Sequence, residues 1–177
     1  VQSDGEHPAL AVGDPRMIAT LEAAADRGIL CLHHRAVPGT SYVVDHLVVA
    51  PNGLWVVTAA PEPSGRVEKR DLGDWFSSEP RLFVGGSDAS RLHLRAQHTF
   101  DAVEAALADS VVDRVPRQGV LCFVDVAPAW FTRTFELERI TVTWRRLLVD
   151  PMLSVTTYGP QTRLELIRHL DARFPSA

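Results

Sequence analysis

Lysine, cysteine and long apolar runs are all scarce in this sequence, and each shortage narrows what the chain can be. Of its 18 lysine and arginine residues, Lys69 is the only lysine, so chemistry that requires a lysine has one place to find it. The two cysteines, Cys31 and Cys122, lie in short apolar runs with no Cys-x-x-Cys pair. They are expected to be buried core thiols, a pattern that suits a reducing cytoplasm. No window approaches the roughly 18 consecutive apolar residues of a membrane span, and Val1-Gln2-Ser3-Asp4 has no signal-peptide character. A soluble chain without membrane contact is expected. The missing initiator methionine points to a processed chain or a piece of a longer one.

What is present fits a globular domain. The 177 residues are 46% hydrophobic and 23% charged, enough for one core; we place a polar tail over 1–12 and one domain over 13–177. The formal net charge of -4 offers a polyanion no global attraction, so nucleic-acid binding would need a local basic patch.

Gly13-Asp14-Pro15 reads as a helix entry, with Asp14 as N-cap and Pro15 at the first helical position. Met17, Ile18, Leu21, Ala24 and Ala25 recur at helical spacing, and Gly28 closes the helix. A buried strand follows over 29–32 and ends at His33-His34-Arg35. Two β-branched runs, 42–50 and 54–58, flank Pro51-Asn52-Gly53, a strong hairpin signal. With Asn52-Gly53 as the turn, Asp45 falls opposite Ala60 and diagonal to Thr58, about 7 to 8 Å away. The Pro-, Gly- and charge-rich stretch 61–86 reads as loop with at most one edge strand. Helical spacing returns over 90–108, then a buried strand over 119–126, a last strand over 139–143, a short helix over 144–149 and a terminal helix over 160–174. The expected fold class is α/β, a sandwich with a mixed central sheet.

Several of these segments together resemble the nuclease-related domain family: Gly13-Asp14 before a helix, Tyr42-Val43-Val44-Asp45-His46-Leu47-Val48-Val49, Pro51-Asn52-Gly53-Leu54 and Val56-Val57. Weaker matches at Gly65, Trp75, Gln97 and 120–124 extend the likeness over residues 13–126. The resemblance implies a restriction-endonuclease-like α/β/α sandwich and a PD-(D/E)xK site. That site has an acid on the first helix, an aspartate on a strand, and Glu-x-Lys on the next strand. The first two positions map to Asp14 and Asp45. The last two map to Thr58 and Ala60, which replace the glutamate and the lysine. Phosphodiester hydrolysis in such a site uses carboxylates to hold Mg²⁺ and a lysine to orient or deprotonate water; Thr58 offers a weak neutral oxygen and Ala60 offers nothing.

The expectation is therefore a catalytically inactive relative with no cofactor, retained in a bacterial cytoplasm as a nucleic-acid-binding or assembly module. Its arginine and alanine usage resembles actinobacterial members. Arg66, Lys69 and Arg70 are the candidate contacts to DNA, although Glu68 and Asp71 interrupt the run and favour a solvated loop. One alternative is a weak Mg²⁺-dependent nuclease using Asp14, Asp45 and a relocated Glu62, with Arg66 or Arg70 for the lysine. Another is a protein-interaction module, such as a homodimer built on the C-terminal part.

Plainer readings stand beside these. Asp14 is explained as an N-cap. Asp45, ionised in an apolar strand, needs a metal, a cation or a donor, and Arg35 is a candidate partner. His33 and His34 point to opposite faces and have no third ligand at metal spacing. Trp55 and Trp75 read as anchors, and Arg145-Arg146 as an exposed helix face.

Overall fold

A computed structural model describes residues 14–60, 65–73, 77–124 and 133–177. Helix α1 (Pro15–Glu22) starts as its sequence dictates: the Asp14 carboxylate accepts the Arg16 amide at 2.8 Å, and Pro15 occupies the first turn. It stops short of the expected end. The chain tightens into a 3-10 turn over Ala25–Arg27, and Gly28 follows in the left-handed region at φ 92°. A Cβ there would lie 2.6 Å from the Arg163 guanidinium.

The central sheet has six strands: β1 (Leu30–Ala36), β2 (Val43–Ala50), β3 (Gly53–Ala60), β7 (Arg117–Phe123), β9 (Ile140–Trp144) and β8 (Phe135–Leu137), side by side in that order. β1, β2 and β3 pair antiparallel, β3, β7 and β9 run parallel, and β8 returns antiparallel on β9, so the sheet is mixed. Helix α2 (Ser90–Leu107) lies between β3 and β7 in the chain; α3 (Arg145–Met152) and α4 (Pro160–Arg173) follow β9.

Alternation along β2 feeds two cores. Leu47 and Val49 join Phe100 and Val103 of α2 and Leu166 and Leu170 of α4. Val48 and Ala50 join Met17 and Leu21 of α1 and Leu148 and Met152 of α3. The protein is thus an α/β structure with helices on both faces of the sheet, as the hydrophobic pattern predicts.

Three local expectations need correction. The hairpin turn is Pro51-Asn52 rather than Asn52-Gly53, because Ala50 pairs with Gly53 and His46 with Val57. Tertiary contacts set this register. Pro51 O accepts the amides of Thr157 and Tyr158, both at 2.9 Å, and Asn52 bridges Pro151 O and the Trp55 indole. Gly53 at φ 149° brings its backbone where a Cβ would meet Pro116 O at 2.5 Å. The shift is by two positions, so every side chain keeps its face, but Asp45 now lies across from Thr58 instead of Ala60.

The stretch 61–86 is not mainly loop. Its described part forms most of a three-stranded antiparallel sheet: β4 (Val67–Asp71), β5 (Pro80–Val84) and β6 (Ser87–Asp88). β4 is polar and largely exposed, which hides the strand signal. The sheet is tied to the main core by Leu82, which is fully buried. Finally, β8 was not expected. It closes a two-residue hairpin onto β9 through Glu138, whose φ of 53° no glycine announces.

Candidate functional site

Asp45 enters the α2 side of the sheet, and its carboxylate is fully engaged there. Arg95 of α2 places Nη2 at 3.0 and 2.9 Å from the two oxygens, and the Ala59 amide donates to Oδ2 at 2.8 Å. The pair is largely sheltered, with side chains 14% (Asp45) and 27% (Arg95) exposed. Burial pushes the carboxyl above its ordinary value, opposed chiefly by the Arg95 charge and the Ala59 hydrogen bond. The candidate partner Arg35 is elsewhere: it binds Asp171 at 2.8 Å and the Phe174 carbonyl at 3.2 Å, tying β1 to the terminal helix. Arg35 follows a break in the ladder. His34 takes a left-handed φ of 50°, and the β1–β2 pairs pass from His33–His46 to Arg35–Val44 without a His34–Asp45 rung.

Thr58 and Ala60 share the Asp45 face of β3, and both are buried. Ala60 belongs to the hydrophobic core. Asp14 is not gathered into this site. Its α1 packs on the opposite face, its oxygens accept from Arg16 at 2.9 and 3.2 Å, and this hydrogen bonding holds its carboxyl below the usual range. Glu62 and Trp75 lie outside the described residues.

On that opposite face stands a second polar group. His46 is fully buried and its Nδ1 lies 2.8 Å from Nδ1 of His33, the rings meeting edge to face. Burial, then the neighbouring His33, drives the His46 pKa down to about 3. One ring must donate and the other accept. His46 Nε2 is buried and has no hydrogen-bond partner among the described residues.

The basic run lies just before and on β4, with Arg66, Lys69 and Arg70 all exposed. Arg70 pairs with Glu68 and lies 4.5 Å over the Phe83 ring, Arg66 approaches Glu68 at 3.6 Å, and Lys69 donates to Glu136 O at 3.2 Å. Arg145, expected on an exposed face, instead donates to Val124 O and Thr20 Oγ1, both at 2.9 Å. Among the described residues, no three His, Cys, Asp or Glu side chains gather to hold a metal ion, and no helix is long and apolar enough to cross a membrane.

The residue that sequence reasoning missed is Arg95. Its signal was ionic: a carboxylate in an apolar strand demands a cation, and the amphipathic helix that follows supplies Arg91 and Arg95 beside its buried stripe. A cavity of about 330 Å³ opens beside the pair, lined also by His34, Ser41, Tyr42 and Thr99. No family model, curated protein or solved structure matches this chain.

Proposed function

We propose that this protein is a non-catalytic member of the nuclease-related family, with a restriction-endonuclease-like fold, retained as a nucleic-acid-binding or assembly module. The observation that carries the reading is the closed state of Asp45. The carboxylate that the resemblance puts at the metal is neutralised by Arg95 and capped by the Ala59 amide. A guanidinium supplies the positive charge that a cation would supply in an active relative, but it cannot polarise an attacking water as a metal does.

The order of elements supports the kinship: α1 comes first, then Asp45 on the second strand, positions 58–60 on the third, Gln97 on α2, and 120–123 on the next parallel strand. The test is incubation of the purified protein with linear duplex and single-stranded DNA in Mg²⁺ or Mn²⁺, beside Asp45→Ala. Neither protein should cleave; cleavage abolished by Asp45→Ala would overturn the reading. DNA retention that weakens with salt would select nucleic-acid binding, and its absence protein assembly.

A further inference from the structure

We infer that residues 174–177 form a strap whose docking on β1 holds His34 in its left-handed conformation and so sets the wall of the cavity beside Asp45. After α4 the chain runs back along β1, the outermost strand of the six. Phe174 is fully buried in the main core. Ala36 donates its amide to Pro175 O at 2.9 Å, Ala177 donates to His34 O at 3.1 Å, and Arg35 faces Ser176 antiparallel between those two bonds. The Arg35 side chain clamps the start of the strap through Asp171 and the Phe174 carbonyl.

Such an edge contact needs the right backbone groups turned outward, and the alternation of an antiparallel pair decides which ones are. At the loop end, Val37 donates to Tyr42 O at 2.9 Å, so the odd-numbered residues of β1 face β2 there and the Ala36 amide faces out. At the other end the order is reversed. Ala50 and Gly53 close the two-residue turn and Leu54 donates away from β2, to Pro116 O. β2 therefore offers its even-numbered residues to β3, and offers Leu47 and Val49 to Leu32 and Leu30 of β1. The change of step falls at His34, the one residue of β1 at positive φ. Its φ of 50° turns the carbonyl away from β2, where a His34–Asp45 rung would use it, and towards Ala177.

The strap and the left-handed residue thus depend on one another. A non-glycine residue at positive φ costs free energy that its surroundings must offset, and the Ala177 amide is the contact that does so. With the strap released, an extended His34 returns its carbonyl to the Asp45 amide and the ladder becomes continuous. Because His34, Tyr42 and Val43 line the cavity together with Asp45 and Arg95, that change reaches the cavity through the backbone. The inference rests on hydrogen bonding at the sheet edge and not on kinship with nucleases, so either reading can fail alone.

Amide hydrogen exchange of the ¹⁵N,¹³C-labelled full chain tests the coupling with two variants that act from opposite ends. Ala177→Pro, at an exposed position, removes the donor to His34 O. The Ala36 amide should then exchange faster, the His34 Cα shift should move to an extended value, and the Asp45 amide should gain protection of at least about tenfold. His34→Val puts a β-branched side chain where positive φ is most disfavoured, and should undock the strap and speed Ala36 exchange at least about tenfold. An Asp45 amide or a His34 shift unmoved by Ala177→Pro, or Ala36 protection kept in folded His34→Val, would overturn the proposal and leave the strap as a cover for the sheet edge alone.

Discussion

Asp45 and His46 are consecutive residues of β2 that leave opposite faces of one sheet, and they bury polarity in different ways. Asp45 faces α2 and keeps company with a cation and an amide donor; His46 faces α1, is neutral, and leaves one ring nitrogen without a partner among the described residues. The difference follows from the neighbours. The α2 face offers an arginine within reach, whereas the α1 face around His46 is apolar except for His33 and the nearby Asp14. A buried carboxylate cannot easily shed its charge at neutral pH, so it recruits a partner; an imidazole simply stays deprotonated.

The comparison breaks first at low pH. Because the His46 pKa is lowered from 6.5 to about 3, the unfolded chain binds more protons than the folded one between those values. Stability should therefore fall on acidification through that window, with a slope of up to about 1.4 kcal/mol per pH unit from this one group. Denaturant unfolding measured from pH 7 to pH 4 checks it, and His46→Leu should flatten the slope. Asp45 works with the opposite sign: its raised pKa means that protonation on acidification does not weaken the fold through this residue.

A smaller effect is expected at Asp45 itself. Asp45→Ala leaves the Ala59 amide and Arg95 without their acceptor and should cost about 1 to 3 kcal/mol in chemical denaturation, whereas Asp45→Asn, which keeps an acceptor, should cost less. A loss as small for alanine as for asparagine would mean that the carboxylate is not holding β3. Smaller again is Asp14→Ala, which removes only a helix cap: about 1 kcal/mol, with the Asp45–Arg95 pair untouched.

Much of this contrast was legible in the residues, but unevenly. Alternation in 43–50 announced which side chains share a face, and that survived even though the pairing register shifted by two residues, since a two-residue shift preserves parity. The register itself was not legible, because the bonds from Thr157, Tyr158 and Pro151 to Pro51 and Asn52 come from the far end of the chain. Gly85-Gly86 between β5 and β6 was a hairpin signal in the sequence; the polar character of β4 masked its meaning. For Asp45, the need for a cation was readable and its identity was not. Arg35 is ten residues away in sequence and Arg95 fifty, and only the packing of α2 over the sheet decides between them.

The central claim is that Arg95 is the cation that holds the Asp45 carboxylate. A double-mutant cycle of Asp45→Ala and Arg95→Ala, read by equilibrium unfolding, tests it most directly. The account predicts a coupling of about 1 to 3 kcal/mol between two partly buried, hydrogen-bonded charges. Costs that add to within about 0.5 kcal/mol would contradict it and leave the Asp45 carboxylate free for another partner.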